Sequence, residues 1–145
     1  MTDNEKLVRL LQERKMSVTT AESCTGGLVA AEITDVEGSS EVFRRGFITY
    51  CDEAKHEMLG VPYEILLEHT AVSQQTAEAI VRGAAGKAQA DCAISVTGIA
   101  GPGGGTELQP VGLVYIGLYV QGMVIVERHL FDGDRREVRR QAAER

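Results

Sequence analysis

Leucines recur at helical spacing at the start of the chain: Leu7, Leu10 and Leu11 form one stripe with Val8 beside it, and Glu5, Lys6, Arg9, Glu13 and Arg14 occupy the remainder. Apolar residues returning every three or four positions describe an amphipathic helix, predicted here over Asp3 to Arg14. The period then changes. Ser17 to Ala21 reads as a short strand, and a helix from about Thr25 to Ile33 stops before Glu37-Gly38-Ser39-Ser40. Gly46 to Tyr50 is β-branched and aromatic, a second strand, and a helical turn through Ala54 to Leu59 is stopped by Gly60, Val61 and Pro62. Ser73 is placed to cap a further helix whose buried side is Ala77, Ile80, Val81 and Ala84, ending near Gly86.

Beyond Gly86 the pattern is that of a sheet. Cys92 to Thr97 is almost continuously apolar, as expected of a central strand covered on both faces, and Gly98 to Pro110 follows as a long loop. Val111 to Val120 and Met123 to Phe131 flank Gln121-Gly122, the signature of an antiparallel hairpin. Asp134 then caps a final helix with Val138 and Ala142 inward. Alternating helices and strands predict an α/β fold: a three-layer α/β/α sandwich with a mixed, mostly parallel sheet of about five strands. The 145 residues suffice for one core, so residues 1–145 are expected to form a single domain.

Composition narrows the function. A formal net charge of −6 disfavours general affinity for nucleic acid or anionic membrane, so an anionic ligand needs a local cationic pocket. No apolar run approaches the roughly 18 residues that span a bilayer. The three cysteines, Cys24, Cys51 and Cys92, form no CxxC pair, and a cytoplasmic location is expected. His56, His69 and His129 lack metal-binding spacing, so neither a metal nor a cofactor is expected.

The chemistry is concentrated in turns. Thr19-Thr20-Ala21-Glu22-Ser23-Cys24-Thr25-Gly26-Gly27 passes from a strand through small polar residues into a helix, a setting in which nucleophiles are often held. The N–H groups of Thr25, Gly26 and Gly27 are predicted at that helix N-terminus, where they suit a phosphate, a carboxylate or an oxyanion; alternatively Ser23 or Thr25 is a plain cap. A second turn, Thr97 to Thr106, is dense in glycine (Gly98, Gly101, Gly103, Gly104, Gly105) and leaves the central strand. It matches neither a Walker A loop nor a dinucleotide fingerprint, yet ligands in open α/β sheets gather at the carboxyl ends of strands. Tyr50 and Lys55 can face the same mouth as Ser23. A lysine is a poor base at its solution pKa of about 10.4, but desolvation lowers that value; a solvated surface lysine is the alternative. Arg135 with Arg139 and Arg136 with Arg140 line adjacent faces of the final helix, the densest positive cluster on an acidic chain.

These segments together resemble the CinA C-terminal domain family, whose enzymatic members are nicotinamide-nucleotide amidases. The resemblance covers Val18 to Ala143 and rests on TTAESCTGG (Thr19 to Gly27), GSS…RRGFITY (Gly38 to Tyr50), EAK (Glu53 to Lys55), AVS (Ala71 to Ser73), TGIAGPGGGT (Thr97 to Thr106), PVG (Pro110 to Gly112) and GDRREVRRQA (Gly133 to Ala142). It implies a three-layer α/β/α fold and hydrolysis of nicotinamide mononucleotide to nicotinate mononucleotide and ammonia, in pyridine-nucleotide salvage. By matching position, Ser23 is the implied nucleophile, Tyr50 and Lys55 its activating partners, Thr97 a residue lining the site, and Arg135 the candidate for the substrate phosphate. Thr25, Gly26, Gly27, Gly98, Gly101, Gly104, Thr106 and Arg139 complete the expected substrate-binding set. A homo-oligomer, a dimer, is the expected assembly.

The chain departs from the family at two places. Cys51 and Asp52 stand where the family commonly has serine and asparagine, and the final helix runs to Arg145 without the Gly or Asn that usually ends one, as in a truncated helix. The N-terminal domain of longer CinA proteins is absent from this sequence, and its activity is not expected. Two rivals accompany the serine amidase: Cys24 as nucleophile, since a thiol at a helix N-terminus can have a lowered pKa, and a non-catalytic nucleotide-binding or interaction module of the competence/damage-inducible CinA type.

Overall fold

A computed structural model describes residues 2–101, 103, 109–136, 138 and 139. The amphipathic segment folds as α1, Asp3–Arg14, capped by the Thr2 side chain, which accepts from the Glu5 N–H, and buries Val8 and Leu11. β1 follows over Val18–Glu22, then α2 over Leu28–Thr34, a 3₁₀ turn at Ser39–Glu41, and β2 at Phe47–Ile48. α3 spans Asp52–Leu59, α4 Tyr63–His69 and α5 Gln74–Ala88; β3 covers Cys92–Gly98, β4 Leu113–Val120 and β5 Met123–Leu130. The Ser73 side chain caps α5 by accepting from the Thr76 N–H. Arg135, Arg136, Val138 and Arg139 begin the final helix, with Val138 fully buried; Ala142 and Arg140 lie outside the described residues.

The five strands form one mixed sheet in the order β2-β1-β3-β4-β5. β1 is parallel to both β2 and β3, whereas β3–β4 and β4–β5 are antiparallel, so the pairings divide evenly. Alternate residues of each strand feed opposite cores. Val18, Cys92, Val96 and Val114 face α1, α2 and Val138, while Ala21 and Ala93 face α3, α4 and α5. This is the expected three-layer sandwich with a mixed five-stranded sheet, but the sheet is half rather than mostly parallel, because the Gln121-Gly122 hairpin adds β5 antiparallel to β4 and β4 itself returns antiparallel to β3.

Differences from the sequence expectations have local causes. α4 was not anticipated, because Pro62 reads as the stop after Gly60 and also serves as the N-cap of a new helix. α2 begins at Leu28 rather than near Thr25, because Gly26 and Gly27 take positive φ (58° and 111°) and delay helical geometry. β1 and β2 differ in the helices that follow them: α2 covers one face, α3 the other. Such a switch point opens a crevice at the strands' carboxyl ends.

Candidate active site

The crevice is built on the end of β1, whose five residues are all buried. Glu22, its last residue, is only 1% exposed and carries an ionisable carboxylate into the interior. Three donors converge on it: Thr25 Oγ1 at 2.7 Å, the Val29 N–H at 2.8 Å and the Ala30 N–H at 3.0 Å. The last two are among the unsatisfied first-turn donors of α2, where a negative charge also meets the positive end of the helix dipole. Glu22 therefore fills the anion position expected at this helix start. The reason is geometric, since a buried strand-end carboxylate reaches the helix N-terminus from beneath and needs those N–H groups to offset its own desolvation.

Ser23 sits on the turn so anchored, its N–H donating to the Val96 carbonyl of β3 at 2.9 Å. Lys55 rises toward it from α3. Only 1% exposed, Lys55 donates from Nζ to the Thr49 carbonyl at 2.9 Å and reaches Ser23 Oγ at 3.5 Å, the outer range of a hydrogen bond. Burial depresses the lysine pKa below its ordinary 10.5, opposed in part by Asp52, Cys51 and Cys24. The sequence alternative of a solvated lysine does not describe this residue.

Cys24 has the opposite environment. It is 3% exposed, and burial pushes its thiol up to about 11, although Arg139 and Lys55 act the other way. That direction is the opposite of the lowered pKa that a helix-activated thiolate requires.

The opposite wall is the glycine turn after β3. Thr97, Gly98, Gly101 and Gly103 line, with Ser23, Tyr50 and Lys55, a cavity of about 250 Å³. Thr97 donates its hydroxyl to the Ala71 carbonyl at 2.8 Å, which ties β3 to the loop before α5. Gly98 allows β4 to approach, because a Cβ there would stand 2.7 Å from the Leu113 carbonyl oxygen. Gly101 has φ +85°, a conformation glycine adopts without strain.

At the rim, Tyr50 is 55% exposed and Arg135 joins it to the glycine turn. The guanidinium donates from Nη2 to Tyr50 Oη and from Nη1, at 2.7 Å, to the Gly101 carbonyl. The structure thus brings Ser23, Tyr50, Lys55, Thr97, Gly98, Gly101 and Arg135 to one cavity. Thr25 and Gly26 are engaged behind it, Thr25 with Glu22 and the Gly26 N–H with the Ser23 carbonyl; Gly27 is likewise outside the lining. Arg139 donates to the carbonyls of Cys24, at 2.9 Å, and Thr25, at 3.2 Å, and so braces the turn that carries Ser23 from outside. Gly104 and Thr106 lie outside the described residues.

Sequence reasoning missed Glu22, whose only signal was an acidic residue in an otherwise uncharged strand, and marked Asp52, which also lines the cavity, only as a departure from the family pattern. Among the described residues no group of three or more His, Cys, Asp or Glu is arranged to hold a metal ion. No helix among them is long and apolar enough to cross a membrane. A groove of about 350 Å³ on the α1–α2 face, lined by Leu7, Ile33, Leu118 and Ile125, contains no serine or lysine.

The fold and site define an α/β protein in which a mixed sheet presents a strand-end serine to a buried lysine in a small cavity at its switch point. The chain belongs to the CinA family: the CinA C-terminal domain matches residues 2–145. It is 53% identical over 135 residues to a putative competence-damage inducible protein of Caldicellulosiruptor bescii, covering 93% of this chain and 33% of that protein. A Clostridium beijerinckii protein of the same description is 52% identical over 138 residues, covering 95% of this chain and 34% of that one. The chain therefore spans about a third of the length of these relatives. Among solved structures, competence damage-inducible protein A (ComA) of Klebsiella pneumoniae superposes with TM-score 0.94 at 36% identity, over 97% of this chain and 88% of that one. Competence/damage inducible protein CihA of Agrobacterium tumefaciens gives 0.88 at 44%, over 99% and 93%.

Proposed function

We propose that this domain hydrolyses the carboxamide of nicotinamide mononucleotide to nicotinate mononucleotide and ammonia. The observation that carries the reading is the pair formed by Ser23 Oγ and Lys55 Nζ, 3.5 Å apart, with the amine buried and its pKa depressed. A neutral amine accepts the serine proton as Oγ bonds to the carboxamide carbon. The carbonyl π pair moves onto oxygen. Collapse of the tetrahedral species breaks the C–N bond, and the proton held by Lys55, with Tyr50 in the relay, passes to the leaving nitrogen as ammonia. Water then attacks the acyl ester, returns a proton to Ser23 Oγ, and releases the carboxylate.

Backbone N–H groups are the natural holders of the oxyanion, a large electrostatic contribution in acyl transfer. The Ser23 and Ile99 N–H groups already donate to the Val96 and Leu113 carbonyls, each at 2.9 Å. Among the described residues lining the cavity, Cys24, Ala100 and Gly101 are the candidates. Arg135, at the rim, is assigned to the phosphate, because a planar guanidinium suits that group.

The test is to incubate the protein with nicotinamide mononucleotide and follow both products by chromatography. Equimolar ammonia and nicotinate mononucleotide are expected. Retained nucleotide binding with neither product, at high protein concentration, would reassign the domain as a non-catalytic nucleotide-binding module.

A further inference from the structure

We propose that Asp52 is a specificity-determining residue of this cavity, a carboxylate placed to accompany a cationic aromatic ring whose carboxamide lies at Ser23. The inference rests on the amidase reading above and names the feature of the substrate that the site selects.

Asp52 and Lys55 are three residues apart on α3, a spacing that puts them on one face of a helix, and both line the cavity. Their depths differ. Lys55 is buried at the floor beside Ser23, whereas Asp52, in the first turn of α3, is exposed at the mouth. Among the described residues lining this cavity, Asp52 is the sole carboxylate, and the other charged side chains are Lys55 and Arg135. A carboxamide at the floor and a phosphate at Arg135 leave the ring between them, alongside Asp52. In nicotinamide mononucleotide that ring is a pyridinium cation.

Helix capping does not account for the carboxylate. Glu53 also supplies negative charge to the first turn of α3, and does so without lining the cavity. Asp52 moreover opposes the depression of the Lys55 pKa, an effect that works against a lysine base. A counter-charge for a cationic ring offsets that cost, because the ring's positive charge neutralises the carboxylate when substrate is bound.

The test uses Ser23→Ala protein, so that ligands bind without turnover, and two probes. Nicotinamide mononucleotide and its 1,4-dihydro form share carboxamide, ribose and phosphate, but only the first has a charged ring. Calorimetry at low salt is expected to show tighter binding of the cationic probe. Adding Asp52→Asn, a change of charge with little change of shape, should weaken that probe about three- to fivefold, in keeping with a partly screened charge pair, and leave the dihydro probe unchanged. Asp52→Glu should keep the preference. Equal weakening of both probes, or no change in either, would overturn the assignment, provided thermal unfolding shows the variant folded; should Asp52→Asn not fold, Asp52→Ser, which also removes the charge, is titrated in its place and the same outcomes decide. If wild type releases ammonia but the preference ignores residue 52, only the Asp52 inference fails. If wild type releases none and neither probe binds, the amidase reading fails and this inference with it.

Discussion

The floor and the rim of the cavity are built by different means. At the floor, Glu22, Ser23 and Lys55 are tied to the backbone: Glu22 to two N–H groups of α2, Ser23 to Val96, and Lys55 to Thr49. At the rim, Tyr50 and Arg135 are exposed and are held chiefly by each other and by the Gly101 carbonyl. Under the proposed function the contrast separates two tasks. A nucleophile and its base need fixed geometry and a dry environment before substrate arrives. Groups that recognise a diffusing anion need contacts that the anion can replace, and a guanidinium donating to a phenol and a carbonyl has them.

The largest effect expected at the floor follows from Lys55. Lys55→Met should lower kcat about 10²- to 10⁴-fold with little change in KM, as for loss of a general base. The protonated amine cannot accept the serine proton, and its pKa lies below the ordinary 10.5, so wild-type activity should rise with pH along a limb centred below 10.5. A pH–rate profile that falls over that range would remove Lys55 as the base.

Glu22→Gln tests whether the anchored turn matters. The carboxylate oxygen that accepts from Ala30 N–H at 3.0 Å would become an amide donor or lose its charge, costing about 2 kcal/mol of stability, the usual size for a charge-assisted hydrogen bond. Thermal unfolding should show the loss, and kcat should fall more than tenfold with KM nearly constant, as expected when a catalytic group is misplaced by a small distance. Unchanged kcat in a destabilised protein would make Glu22 a structural cap alone.

A rim substitution should behave differently. Arg135→Ala should weaken nicotinamide mononucleotide about tenfold and the corresponding riboside, which lacks the phosphate, much less. Titrating both ligands checks this, and equal losses would show that Arg135 serves the cavity through Tyr50 and Gly101 rather than through phosphate.

The sequence made the floor's chemistry visible but not its support. Period-matching located α1 and the β4–β5 hairpin, because their apolar positions repeat over many residues and Gln121-Gly122 is a strong turn signal. The displaced start of α2 depends on glycines at positive φ, and α4 follows a Gly60-Val61-Pro62 stop, so neither leaves a periodic trace. Lys55 carries no mark of burial in its own segment, since the groups that meet its Nζ, the Thr49 carbonyl and Ser23 Oγ, lie outside α3. The Arg135–Tyr50 contact joins positions 85 residues apart, and Arg139 reaches back to Cys24 in the same way. Such pairings are set by the sheet order, not by spacing.

The central claim, that Ser23 and not Cys24 is the nucleophile of an amidase, is tested most directly by measuring ammonia release from nicotinamide mononucleotide by wild type, Ser23→Ala and Cys24→Ala in parallel. Wild type should release ammonia, Ser23→Ala should fall by about 10³-fold or more while still binding the nucleotide, and Cys24→Ala should keep much of the activity. Activity lost in Cys24→Ala and kept in Ser23→Ala would contradict the account.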